Sequence, residues 1–132
     1  MKKFDIDRKT VTLDKTGIRM VASGTSERTH YLRDAGDGKY VLVSRGPGIS
    51  GERKVHIANL IMPKSIAEDG NHVYILGQFE DGCYGIVIDH DCEKYDPNRH
   101  IFADPQGVIT HGTTTYILER CGSYRVRYFL TR

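Results

Sequence analysis

The sequence predicts an all-β fold: an antiparallel meander of about three repeated three-stranded units with additional N-terminal strands, propeller-like in arrangement, the alternative being a single β-sandwich or small barrel. Three observations predict it. Short runs rich in Val, Ile, Tyr and Thr recur along the chain, glycines punctuate the gaps between them, and the C-terminal half aligns with itself. β-Branched and aromatic residues suit a pleated surface, glycine supplies the positive φ of tight hairpins, and self-similarity at this spacing marks a repeated supersecondary unit.

Taken in order, the N-terminal strands fall within residues 5–28, as Thr10-Val11-Thr12-Leu13 and Ile18-Arg19-Met20-Val21-Ala22 around a turn at Lys15-Thr16-Gly17. The first unit, residues 29–63, is the least regular: Tyr31-Leu32-Arg33-Asp34, Gly38, Tyr40-Val41-Leu42-Val43, a long loop ending at Gly51, then Val55-His56-Ile57-Ala58. Residues 52–62 are the best helical candidate and stop at Pro63, but their place in the alignment makes them strand. The second unit, residues 64–105, runs through Gly70, His72-Val73-Tyr74-Ile75-Leu76, a turn at Glu80-Asp81-Gly82 and Tyr84-Gly85-Ile86-Val87-Ile88. The third, residues 106–132, repeats that order with Gly112, Thr114-Thr115-Tyr116-Ile117-Leu118, Cys121-Gly122 and Tyr124-Arg125-Val126-Arg127-Tyr128. Both C-terminal units place Tyr-Ile-Leu four residues after the first glycine and a tyrosine two residues after the second. In the last run Tyr124, Val126, Tyr128 and Leu130 alternate with Ser123, Arg125, Arg127 and Thr131, the period of a strand with one buried face.

Such meanders resemble the blades of a β-propeller, although three fall short of the four or more blades that close a ring. The resemblance implies that a second copy completes the ring, so a homodimer is expected.

With 132 residues the chain has the size of one domain, and 39% hydrophobic with 27% charged residues excludes both a disordered chain and a helical membrane protein. Asp5 and Asp7 stand where the apolar stretch of an export leader belongs, so a cytoplasmic location is expected. A net charge of +2 does not by itself point to nucleic acid, and three cysteines, none in a C-x-x-C pair, point to reduced thiols rather than a disulfide framework or zinc site.

Among candidate sites, Gly46-Pro47-Gly48-Ile49-Ser50-Gly51 follows the G-x-G-x-x-G pattern, with Glu68 and Asp69 about twenty residues on. The β-branched stretch after it and the lack of a second βαβ pattern favour a long hairpin loop over a dinucleotide site. Its flanking Arg45, Arg53 and Lys54 still suit an anion cradled by backbone N–H groups. Asp89, Asp91 and Glu93 begin like a calcium loop but have Lys94 where glycine is needed. His90 and Cys92, with His100 nearby, suit a softer metal; a solvated loop is the favoured reading, and no metal or cofactor is expected. The cysteines and six histidines permit a nucleophile–base pair, but no local signature selects one, so a catalytic role is not the expectation. Alternation in the last strand separates Arg125 and Arg127 from Tyr124 and Tyr128, which argues against a stacking platform for single-stranded nucleic acid.

The function expected from this pattern is non-catalytic recognition of a protein partner, as in small inhibitor, immunity or adaptor proteins of bacteria and phages. Its contact residues are Arg45, Gly46, Gly48, Ile49, Gly51, Arg53 and Lys54 on the long loop and Arg125 and Arg127 on the final strand. Binding of a small anionic ligand such as a nucleotide or phosphate through the loop is the alternative. Single-stranded nucleic acid is the third.

Overall fold

A computed structural model describes the backbone of residues 3–6, 9–12, 18–22, 26–70, 72–111, 114–121 and 123–130, and the side chains of residues 18–22, 26–70, 72–111 and 114–120. Every described regular element is a strand: β1 (Lys3–Ile6), β2 (Lys9–Thr12), β3 (Ile18–Val21), β4 (Thr29–Gly36), β5 (Lys39–Arg45), β6 (Arg53–Ile57), β7 (Leu60–Glu68), β8 (His72–Phe79), β9 (Tyr84–His90), β10 (Lys94–Phe102), β11 (Pro105–His111), β12 (Thr114–Cys121) and β13 (Ser123–Leu130). No helix among the described residues is long and apolar enough to cross a membrane. The predicted turn at Lys15–Gly17, the turn glycines Gly112 and Gly122, and the side chains of Cys121, Tyr124, Arg125, Arg127 and Tyr128 lie outside the described residues.

The strands form sheets in chain order. Sheet 1 is β3-β4-β5-β6, sheet 2 is β7-β8-β9-β10, sheet 3 is β11-β12-β13, and β1 pairs with β2; every pairing is antiparallel. The all-β meander is therefore as predicted, with no closed barrel among the described residues, but the first two sheets hold four strands rather than three. The additional members are β3 and β10. Including β3 also shifts the first repeat by one strand, because β4 now occupies the place of β8 rather than β7. The long glycine-rich loop, which joins β5 to β6, is then the counterpart of the short β9–β10 turn. The sequence alignment had matched Gly38 to Gly70 because both close hairpins.

Packing explains why the middle of the chain is so apolar. Six consecutive residues of β8, from His72 to Gly77, are buried. On the first seam, Val73, Ile75 and Phe79 with Ile66 and Val87 meet Ala22, Leu32, Tyr40, Leu42 and Ile57 of sheet 1 and its flank. On the second, Tyr74 and Leu76 with Ala67, Ile86, Ile88 and Phe102 meet Val108 and Ile117 of sheet 3. Odd and even residues of β8 thus serve opposite neighbours, the period of two that any strand imposes. A sheet covered on both faces loses the hydrophobic–polar alternation of a half-exposed one. β7 lies against β3, β4 and β5 on one side and β11 on the other. Beside β11, Lys64 Nζ donates to the Pro105 carbonyl (2.8 Å), Val108 N–H to Ser65 Oγ (3.1 Å), and Thr110 Oγ1 to the Glu68 carbonyl (2.7 Å). This sheet-after-sheet stacking is common to propeller blades and layered sandwiches.

Both edge strands of sheet 2 are irregular. β7 slips register around Met62–Ser65 and β10 between Asp96 and His100. Gly77 and Gly85 face each other between them, and a Cβ at Gly77 would lie 2.6 Å from the Met62 carbonyl oxygen and 2.6 Å from Leu60 Cδ1. The bulged edge is accommodated only because that Cβ is missing.

Candidate functional site

The loop between β5 and β6 is exposed except at Ile49, which is half-buried. Its turns need φ of 126° at Gly46 and 83° at Gly48, conformations natural to glycine alone. Arg28 holds the loop from beneath, donating from Nε to the Pro47 carbonyl (2.9 Å), and a Cβ at Gly46 would come within 2.9 Å of Arg28 Cα. The Ile49 N–H closes an inner turn on the Gly46 carbonyl at 3.0 Å. A long polar loop is in this way held in one shape.

Its three cations are engaged within the chain. Arg45 pairs with Glu52 and lies over the Tyr31 ring, and Lys54 Nζ stands 3.8 Å from Glu52 Oε1. The Arg45 hydrogen bond is the main reason that Glu52 titrates below its ordinary value. Arg53 turns inward to Asp89 Oδ2 at 2.7 Å. An incoming anion would therefore compete with Glu52 and Asp89. Arg125 and Arg127 stand on β13 in sheet 3, opposite Glu119 and Ile117 of β12, and so belong to a different sheet from the loop.

Arg53 leads to a group of residues that no local motif brought together. At the first seam, His30 of β4 pairs across the ladder with Ser44 of β5, and His30 Nδ1 lies 2.8 Å from Ser44 Oγ. On its other side His30 Nε2 is 3.5 Å from Glu68 Oε2 at the end of β7. Glu68 also accepts from the Ser26 hydroxyl and, through Oε1, from the Ser26 N–H at 3.2 Å. Cys92 lies in the β9–β10 turn, where His30 and Ser44 act on the titration of its thiol. His30, Ser44, Glu68 and Asp89 are buried and Cys92 half-buried.

The electrostatics follow from that packing. Burial opposes the charge on His30, but its contacts with Cys92 and Glu68 outweigh it and hold the imidazole above its ordinary value. Burial likewise opposes ionisation of Glu68 and of the Cys92 thiol. Hydrogen bonds from His30 and Ser26 to the first, and contact with His30 to the second, bring both below their ordinary values. Asp89 goes the other way: burial raises it despite Arg53, and its Oδ1 has no hydrogen-bond partner.

The segment read from sequence as a metal-ligand candidate or solvated loop is a hairpin instead. Asp89 points to Arg53, and the His90 ring meets the His72 ring edge-on at 5.2 Å. Alternation sends neighbouring ligand types to different places, and no group of three or more metal-ligating side chains comes together among the described residues. Beside the turn is an open recess of about 430 Å³ lined by His90 and residues 94–98. Comparison with protein-family models, curated proteins and solved structures returns no match to this chain.

Proposed function

We propose that this chain is a recognition module that grips a protein partner through the β5–β6 loop, with Arg45, Gly46, Gly48, Ile49, Gly51 and Lys54 in or beside the contact. The observation carrying this reading is that the loop is exposed and yet clamped by Arg28. A loop ordered before binding loses little conformational entropy when a partner arrives, which is what long surface loops on a rigid sheet are suited to. Internal pairing of Arg45 and Lys54 with Glu52 weakens the small-anion alternative. Arg53 supports the loop through Asp89 rather than offering a free cation.

The test is affinity, measured by calorimetry with a partner identified by cross-linking in native extract. Arg28→Ala, which frees the loop, and Arg45→Glu, which reverses an exposed charge, are each expected to weaken binding about tenfold. A partner bound equally well by both variants overturns the assignment to this loop. Stabilisation by nucleotides or inorganic phosphate in a thermal-shift assay would favour the anion reading instead. If the identified partner is a second copy of the chain, mass in solution reports it directly.

A further inference from the structure

Sheet 3 repeats sheet 2 position by position. In sheet 2 the ladders align Ala67 with Tyr74 and Ile88, and Ser65 with Leu76 and Ile86. In sheet 3 they align Ile109 with Tyr116 and Tyr128, and Gly107 with Leu118 and Val126, so Tyr116-Ile117-Leu118 takes the place of Tyr74-Ile75-Leu76. The row between corresponds as well, with Val108 and Ile117 standing where Ile66 and Ile75 stand. Residues directly opposite on neighbouring strands share a face, and successive residues alternate between faces.

That correspondence fixes which way each face looks. Ile66 and Ile75 pack toward sheet 1, and Val108 and Ile117 toward sheet 2. Ala67, Tyr74, Leu76, Ile86 and Ile88 pack the other way, against sheet 3. Their counterparts Ile109, Tyr116, Leu118, Val126 and Tyr128 therefore belong to the face of sheet 3 turned away from sheet 2. Ile109 is 48% exposed where Ala67 is fully buried, and Tyr116 and Leu118 are half-buried where Tyr74 and Leu76 are fully buried. Single apolar residues on a surface are ordinary, but a row-by-row copy of a buried sheet face marks an interaction site. The other exposed large apolar residues make no such face: Ile61 and Met62 are on β7 and Ile101 on β10, opposite edges of sheet 2 with β8 and β9 between them.

Three features identify the occupant. The counterpart face in sheet 2 is covered by another sheet of the same repeat, so the shape that fits is an antiparallel sheet rather than a helix. At the other end of the stack the outer face of sheet 1 is already closed, because Val21, Tyr31 and Val43, which form one ladder row, are buried. A head-to-tail contact with that face would bury little more. The two outer rows of sheet 3 hold no charged residue, so this face can meet its own copy without opposing like charges, and its two tyrosines are of the type enriched in interface cores. We propose that two copies of this chain associate face to face through the outer surface of sheet 3, about a twofold axis that sets Ile109, Tyr116 and Leu118 against the same residues of the second copy. An isologous contact of this kind closes with two copies. It is separate from the β5–β6 loop, which belongs to sheet 1. Two rows of three positions are fewer than the roughly 20–30 residues a side of a standard interface, so the affinity expected is micromolar.

The experiment is sedimentation equilibrium of the parent chain from about 1 to 300 μM, a range that brackets such an affinity. The mean mass is expected to rise with concentration to twice that of one chain. Ile109→Lys, at an exposed position, should weaken association about tenfold or more by opposing like charges across the axis, and should leave the melting curve of dilute protein unchanged. Ile101→Lys, equally exposed but on sheet 2, should leave association as in the parent. Mixing Ile109→Lys with Ile109→Asp should restore association as a mixed dimer, since a face-to-face contact brings position 109 of both copies into one interface. A parent chain that stays monomeric across the range overturns the inference, and it does so without any variant having to fold. So does a mass that climbs past two copies, a mixture that fails to associate, or equal disruption by Ile101→Lys and Ile109→Lys. A monomeric parent whose Ile109→Lys variant melts lower would place the cover of this face within the chain itself, which also overturns it.

Discussion

The two seams flanking sheet 2 are built differently. Between sheets 1 and 2 an apolar cluster is continued at one end by titratable side chains, His30, Glu68, Asp89, Arg53 and Cys92. Between sheets 2 and 3 the described bonds from β7 to β11 run between uncharged or cationic side chains and main-chain atoms, as with Ser65, Thr110 and Lys64. Bonds of the second kind hold strands together at any ordinary pH. The first kind makes stability depend on protonation and provides groups with chemistry of their own.

The largest effects should come from the adjacent residues Ile75 and Leu76, both fully buried but facing opposite seams. Ile75→Ala and Leu76→Ala are each expected to cost about 2–5 kcal/mol in chemical denaturation. Hydrogen exchange then sharpens the comparison. Leu76→Ala should weaken protection in β12 before β4, and Ile75→Ala the reverse; identical patterns would mean that the seams open as one unit.

Gly77→Ala comes next, at about 1–3 kcal/mol or more, because the new Cβ meets the Met62 carbonyl oxygen at 2.6 Å and backbone cannot swing aside. Gly85→Ala, whose closest contacts are 3.1 Å to the Arg99 side chain, should cost less. Equal losses would show that the bulge of β7 is not what requires glycine.

Protonation separates the seams more finely. Glu68, held below its ordinary 4.5, contributes stability that is present above that pH and is lost as pH falls through its folded value. His30, held above its ordinary 6.5, contributes stability present below that pH and lost as pH rises through its folded value. Asp89, raised above 3.8, contributes in the same sense as His30, with stability lost on the alkaline side of its ordinary value. The His30–Glu68 pair is therefore strongest between about pH 4.5 and 6.5. Glu68→Gln should cost about 1–3 kcal/mol at pH 6 and flatten the acid limb of melting temperature against pH. Ser65→Ala, at the second seam, should cost about 1 kcal/mol and leave that limb unchanged. A Glu68→Gln profile parallel to the parent's would remove the titratable character assigned to the first seam.

Much of the architecture was legible in the residues. β8, β9 and β12 carry dense β-branched and aromatic runs, and the glycines at positions 38, 70 and 82 mark hairpins with positive φ. β10 was not legible: Lys94–Phe102 contains Asp96-Pro97-Asn98 and a register break, so it shows neither alternation nor an apolar run. Missing it, and treating β3 as a preceding strand, put the first repeat out of phase. The glycine-rich loop is legible in composition, but the engagement of its flanking cations is not, because a linear reading cannot show that Arg53 reaches Asp89, 36 residues away.

By itself, then, the sequence determined the all-β class, the meander order and the existence of an exceptional loop, because these rest on period-two patterning and local turn chemistry that act over a few residues. Only tertiary structure decided which sheet faces which, which cations are neutralised, and that His30 meets Ser44 on one side and Glu68 on the other. The contacts of Glu68 and Asp89 join strands from separate sheets. They depend on where the stacking of one sheet on the next places each chain end, and no spacing within the sequence encodes that distance.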